Sequence, residues 1–150
     1  IALERRDFMK SIDCFVCNIQ EAGLLFFDDF SHKSTGEMVD ILSAKVMAAQ
    51  IPSMIVTMGG NGAVYADIHG DKGWCPARSV KVRDTTGAGD IFGGSAVWKL
   101  LQLSQSPRTL TQQQLQDAVR FACTSAALST TKPGGITSIP DLEDIEKYLA

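Results

Sequence analysis

Apolar residues fall along the chain in two rhythms: short unbroken runs, and longer stretches that repeat every three or four positions. The runs at residues 12–16 and 54–58 are apolar and β-branched on both sides, which predicts two short buried strands. A strand pattern resumes at 63–66 after Gly59-Gly60-Asn61-Gly62, so those glycines predict a tight turn between strands. Residues 74–82 predict a further strand. Helical spacing runs through 36–50, carried by Met38, Ile41, Leu42 and Val46, and Pro52 stops it. Residues 91–103 form the strongest helical pattern. Another helix starts at Thr111, with Leu115, Ala118, Val119 and Ala122 inward, and a separate small-residue helix covers 121–131. Lys132-Pro133-Gly134-Gly135 ends it, and residues 141–149 close the chain as an amphipathic helix with Leu142, Ile145 and Leu149 on one face. Residues 1–10 read as the tail of a helix, 22–27 as a short helix, and 28–35 and 104–108 as connectors. Residues 67–73 read as a polar turn in which His69 faces solvent. Strands placed between helices predict an α/β fold with a mostly parallel sheet and a small antiparallel element near the Gly59 to Gly62 turn.

Local signals refine the helix ends. Asn18 with Glu21, and Thr111 with Gln114, have the three-residue spacing of capping boxes. Asn18 and Glu21 also follow a strand, at the sheet edge where ligands of open α/β sheets gather, so the pair can face a ligand as well as cap a helix. The helix at 91–103 opens with Gly93, Gly94, Ser95 and Ala96. Glycine in a helix costs about 1 kcal/mol relative to alanine, which predicts close packing or a ligand that offsets the loss.

Composition narrows the partners. A chain of 150 residues, 45% hydrophobic, suits one domain with a proper core. A net charge of −3, with no basic block and no aromatic-plus-basic stripe, argues against nucleic acid. No apolar run approaches the roughly 20 residues of a membrane span, and the first residues carry no signal-peptide pattern, so no membrane partner is expected. Cys14 and Cys17 have the C-x-x-C spacing of redox and zinc sites, but they lie in a strand-like run and no second pair completes a zinc set. Together with Cys75 and Cys123 they are expected to be buried free thiols in a reducing cytoplasm.

The chemistry concentrates in Asp84-Thr85-Thr86-Gly87-Ala88-Gly89-Asp90, directly before the strongest helix. Gly87, Ala88 and Gly89 have almost no side chain, so their amides can approach a ligand closely. Amides at a helix start are unsatisfied donors at a positive dipole end, which favours a phosphate. A carboxylate beside such a cradle, Asp90, suits a general base, and the pair suggests phosphoryl transfer to a hydroxyl. Taken without its neighbours, Gly-Ala-Gly-Asp reads first as a tight turn with an acidic residue at a helix start.

The longer string resembles the C-terminal signature of the ribokinase-like, or phosphofructokinase-B, family of sugar and nucleoside kinases. The resemblance includes Phe92 and the small-residue helix beyond it. The ending Gly134-Gly135-Ile136-Thr137-Ser138-Ile139-Pro140, followed by an acidic helix, is similar to fructokinases and 2-keto-3-deoxygluconate kinases. The resemblance implies a three-layer αβα fold and an ATP-dependent sugar kinase. Residues 1–150 would be its nucleotide-binding and catalytic-base part, since the family's N-terminal Gly-Gly acceptor motif and strand-built lid have no counterpart here.

Residue roles follow from the same resemblance. Asp90 is the implied base, with Gly87, Ala88 and Gly89 as the anion hole. Asn18 and Glu21 match the family's Asn-x-x-Glu motif, which organises Mg²⁺ and phosphate. Thr57, Gly59 and Gly62 match the segment that lies along the nucleotide. Asp84 and Thr86 offer hard oxygen ligands for a cation. The family's monovalent-ion site, usually K⁺, adds loop carbonyls between Thr130 and Gly134 and the matching Ser138. Cys123 stands where ribokinase-type members can carry an amide that reads adenine, and a thiol is a poor reader. A non-catalytic nucleotide-binding or regulatory module, or a nucleoside or vitamin kinase, are the alternatives. A dinucleotide-binding fold lacks its G-x-G-x-x-G after the first strand. The family likeness allows a homodimer of the full-length protein, and this chain alone is expected to bind ATP weakly and phosphorylate no sugar.

Overall fold

The computed structural model describes residues 5–103 and 107–149. The two unbroken apolar runs become neighbouring strands because both of their faces are covered. Strands β1 (Phe15–Asn18), β2 (Ser53–Thr57), β3 (Ala63–Asp67) and β4 (Lys72–Cys75) form one sheet in that order. Along β2 and β3 the side chains alternate. Met54, Val56, Val64 and Ala66 enter one apolar cluster, whereas Ile55, Ala63 and Tyr65 enter another on the opposite face. Helix α1 (Arg6–Met9) precedes β1, and α2 (Ile19–Phe26) and α3 (Thr35–Ala49) connect β1 to β2. Met38, Leu42 and Val46 of α3 supply the first cluster. The second is supplied by α4 (Ala88–Leu103) and α5 (Gln112–Ser129), through Phe92, Ala96, Leu100, Leu115 and Val119. Helix α6 (Leu142–Leu149) seats Ile145 against Phe121 and Leu128. The result is three layers, helix–sheet–helix. Each buried aliphatic side chain contributes about 1.5–3 kcal/mol against about 1 kcal/mol for a net backbone hydrogen bond, so the two apolar faces hold the sheet.

Pairing in the sheet corrects one expectation. β1 and β2 are parallel, but β2–β3 and β3–β4 are both antiparallel, so the described sheet is not mostly parallel. The reason is short connections: a parallel partner requires a crossover of a dozen or more residues, and only the β1–β2 link, through α2 and α3, has that length. The predicted strand at 74–82 stops at Cys75, because Pro76 has no N–H to continue the ladder. Residues 76–82 are irregular. The strand predicted at 12–16 starts later, at Phe15, and runs to Asn18. The two helices predicted over 111–131 are one, α5, since nothing in its Ala-rich middle breaks it.

Of the two reasons expected for the glycines opening α4, close packing or a ligand, the structure removes the first. A Cβ at Gly93 or Gly94 would meet nothing within 4 Å, so close packing is not their reason. Contact between α4 and α5 is carried instead by Ser95 Oγ donating to Ser125 Oγ at 2.8 Å and by Trp98 stacked on Phe121 at 5.3 Å. In α6, Leu142 is 44% exposed and does not share the inward face of Ile145. The capping boxes of Asn18 with Glu21 and Thr111 with Gln114 are present, and a third, Ser34 with Glu37, starts α3 inside what the sequence shows as a connector. Asp67 is buried and accepts from the His69 and Asp71 amides at 2.9 Å, which turns the chain from β3 to β4 and leaves His69 exposed. Residues 1–4 of the N-terminal helix expectation and 104–106 of the connector lie outside the described residues. All four cysteines are free, and burial pushes the thiols of Cys17 and Cys123 up to about 12 and that of Cys75 to about 11. Among the described residues no cluster of His, Cys, Asp and Glu could hold a metal ion, and no helix is long and apolar enough to cross a membrane.

The β2–β3 turn supplies a test of this packing. Gly62 has φ +90°, and a Cβ there would lie 2.0 Å from the Cys75 carbonyl oxygen. Gly62→Ala is expected to lower unfolding free energy by about 3 kcal/mol through backbone strain and overlap. Gly60→Ala, which meets nothing within 4 Å, should change it by no more than about 0.5 kcal/mol. Equal urea midpoints for the two variants would contradict the packing described.

Candidate functional site

The turn that launches α4 is built by side chains short enough to bond their own backbone. Asp84 accepts from the Thr86 amide through Oδ1 at 2.9 Å and from the Gly134 amide through Oδ2 at 2.8 Å. The Arg83 and Asp84 amides donate in turn to the Thr130 carbonyl, at 2.7 and 3.1 Å. Gly87 then takes φ +76°, and a Cβ on it would lie 3.2 Å from Gly135 Cα, so glycine is required twice over. The first helical bond runs from Ile91 N to the Gly87 carbonyl at 2.9 Å. The Ala88 amide is spent on the Thr85 carbonyl at 3.2 Å. No carbonyl among the described residues accepts from the Gly87 or Gly89 amides, which leaves those two as open donors at the positive end of the helix. Three equivalent amides were expected from the sequence; two are open.

Two hollows meet at this turn. The first is a cleft of about 240 Å³ bordered by Thr57, Gly59, Gly62, Ala88, Gly89 and Cys123, all named from the sequence. The Gly59 to Gly62 turn forming its rim is a 3-10 turn over Gly59–Asn61, pinned by Trp74 Nε1 donating to the Asn61 carbonyl at 2.7 Å. Sequence reasoning missed its other wall, which is Ala77, Arg78, Val80 and Val82 from the irregular segment after β4. The spacing of Val80 and Val82 between charged neighbours was the available signal, and it reads as a strand. The second hollow, about 340 Å³, is bordered by Gly87, Asp90, Gly94, Ser95, Gly135 and Ile136. Asp90 is exposed on it, and the unfilled space above Gly94 belongs to it. Asp90 and the Gly89 amide therefore stand on adjoining hollows divided by one turn.

The remaining sequence-predicted residues, Asn18, Glu21, Asp84, Thr86, Gly134 and Ser138, border neither hollow. Asn18 pairs in register with Thr57, whose Oγ1 donates to the Cys17 carbonyl at 3.4 Å, and Asn18 and Glu21 are occupied with each other's backbone. Ser138 is buried and donates to the Gly135 carbonyl at 2.7 Å. Cys123 donates weakly to the Cys75 carbonyl at 3.8 Å. Of the proposed cation set, Asp84, Gly134 and Thr86 are drawn together by hydrogen bonds, which is also what simple bracing of the turn requires. The Thr130 carbonyl already accepts two amides and has little left to offer an ion.

Electrostatics follow the same bonds. The Gly134 amide, with the Thr86 hydroxyl and amide, holds the Asp84 carboxyl down at about 2, below its usual 3.8. A carboxyl lowered on folding stabilises the fold above its ordinary value and loses that contribution as pH falls through the lowered one. Asp84→Asn should therefore lower the thermal midpoint at pH 7, and the gap to the parent should close between about pH 4 and pH 2. A gap that stays constant across that window would show that the carboxylate does not hold the turn.

Known proteins share the sequence pattern and the fold. The pfkB family carbohydrate kinase pattern matches residues 3–142. Ribokinase from Schizosaccharomyces pombe is 30% identical over 141 residues, covering 93% of this chain and 41% of that protein. Fructokinase-1 from Oryza sativa subsp. japonica is 32% identical over 111 residues, covering 73% of this chain and 33% of its own. A double mutant of fructokinase from Vibrio cholerae O395, solved with fructose, ADP and potassium ion, superimposes with a TM-score of 0.75 at 27% identity over 96% of this chain and 43% of its own. The chain thus spans less than half the length of each. A family pattern over nearly its whole length, carried on the same fold, makes this chain a member of the pfkB family of carbohydrate kinases.

Proposed function

We propose that this chain is the nucleotide-binding, base-carrying part of an ATP-dependent sugar kinase. The observation that carries the reading is the junction of the two hollows at one turn. An apolar cleft ending in open amides suits a nucleoside triphosphate, and a carboxylate on the adjoining hollow suits an acceptor hydroxyl. Asp90 takes the hydroxyl proton as that oxygen bonds the γ-phosphorus, and the bond from the γ-phosphorus to the bridging oxygen breaks, releasing ADP. The Gly87 and Gly89 amides meet the charge on the transferred group, so catalysis is mostly positioning and electrostatics. A binding module has no use for a base, and Asp90 on its own hollow favours an enzyme.

The donor sets fit the expected ions unequally. Asn18 and Glu21, at the end of β1 beside Thr57, would organise Mg²⁺ through water, which suits an ion that keeps several of its waters. Asp84, Thr86 and Ser138 would hold K⁺, whose presence in the Vibrio cholerae fructokinase supports the assignment. A bound K⁺ would supply positive charge beside the anion-binding turn. The four free thiols fit a reducing, cytoplasmic setting. The sugar must be held by another part of the protein, and the relatives' greater length supports that division.

The test is a kinase assay on a protein carrying this chain together with an acceptor-binding half. Asp90→Asn should lower kcat by about 10²–10⁴-fold with nucleotide affinity nearly unchanged, and replacing K⁺ by tetramethylammonium should depress turnover. The chain alone should phosphorylate no sugar. Full activity of Asp90→Asn would remove the base assignment, and indifference to the cation would remove the K⁺ site.

A further inference from the structure

The nucleotide cleft contains one charged side chain, Arg78, among the residues that border it. Arg78 is partly buried, and among the described residues no carboxylate, carbonyl or hydroxyl pairs with its guanidinium. An arginine drawn into a wall and left without a partner has donors to offer a ligand. The other polar side chains of the cleft are committed or lie elsewhere. Thr57 donates to the Cys17 carbonyl, Thr130 to the Ala127 carbonyl at 2.7 Å and Cys123 to the Cys75 carbonyl. Thr85 belongs to the turn that carries the open amides.

Position within the cleft assigns Arg78 to one end of the ligand. Arg78 follows Cys75 by three residues, and the Cys75 carbonyl accepts from Cys123, which borders the same cleft. The anion-binding turn is anchored at Thr130, seven residues further along α5, a separation of about 10 Å at 1.5 Å per residue. Phosphates at the turn therefore leave the base toward Cys123 and Arg78, in a cleft whose further walls include the apolar Val80, Ala126 and Ala127.

A guanidinium has five donors and no acceptor, fixed in a planar fork. Adenine presents N7 as an acceptor beside an N6 amino donor, which the fork repels. A 6-oxopurine presents O6 and N7 as two adjacent acceptors, the pair that arginine reads bidentately. We propose that Arg78 reads the O6 and N7 edge of a purine, so that the cleft binds guanosine and inosine triphosphates at least as tightly as ATP. The proposal rests on the nucleotide-binding reading of the cleft and goes beyond it by naming the base.

The experiment measures dissociation constants of the 150-residue chain for ATP, GTP, ITP and inorganic tripolyphosphate, by calorimetry or by NMR titration where binding is weak. GTP and ITP should bind at least as tightly as ATP. Arg78→Ala should weaken GTP and ITP by about tenfold or more and leave ATP and tripolyphosphate within about threefold. Arg78→Lys, with a point charge in place of the fork, should not restore the 6-oxopurine preference. ATP binding tenfold tighter than GTP overturns the proposal. An Arg78→Ala loss shared equally by all four ligands also overturns it, because Arg78 then contacts phosphate; in both results the nucleotide reading stands. Failure of every triphosphate to bind would remove that reading itself, and the proposal with it.

Discussion

The Asp84 carboxylate spans two segments fifty residues apart in sequence, accepting from Thr86 on one side and Gly134 on the other. Each bond is charge-assisted, and together with the double donation into the Thr130 carbonyl they fasten the start of α4 to the end of α5. Gly87 can then lie against Gly135 with room for no side chain between them. Because the chain is held at Asp84 and again by the first helical bond at Ile91, the residues between have one path. Along that path Ala88 closes a turn and Gly87 and Gly89 keep their amides open. The two open amides of the turn are thus a consequence of the clasp at Asp84.

The two apolar clusters fix what the clasp is attached to. One face of β2 and β3 packs on α3 and the other on α4 and α5, so the helix carrying Asp90 is seated by Phe92, Ala96 and Leu100 rather than by its own glycine-rich first turns. Those turns stay free of neighbours and open onto the second hollow. The cleft on the other side exists because β4 ends before Pro76: residues 76–82, released from the sheet, form a wall of the cleft instead of prolonging the β3–β4 ladder.

The sequence revealed the site more fully than the sheet. Asp84 to Asp90 was legible as a turn at a helix start with bare amides, and Thr57, Gly59 and Gly62 fell on the cleft with Cys123. Arg78 and its wall stayed hidden, since Val80 and Val82 alternate like a strand and only Pro76 reveals the break. Strand direction was hidden too, because an apolar run looks alike in parallel and antiparallel pairs. The small residues of α4 left two readings open for a related reason: glycine signals absence of a side chain and cannot say whether a neighbour or open space fills the place. Asn18 and Glu21 read correctly as a capping box, which uses one side-chain oxygen of each.

The central claim is that the turn offers two backbone donors, Gly89 on the cleft and Gly87 on the adjoining hollow, to an anion bound where the two meet. Amide chemical shifts of the chain titrated with the magnesium complex of a non-hydrolysable ATP analogue test this most directly. The account predicts saturable downfield shifts of the Gly87 and Gly89 amide protons, with Gly59 and Gly62 responding in parallel and Ala88, bonded to Thr85, moving least of the three turn amides. Binding that leaves Gly87 and Gly89 unmoved while other amides shift would contradict it.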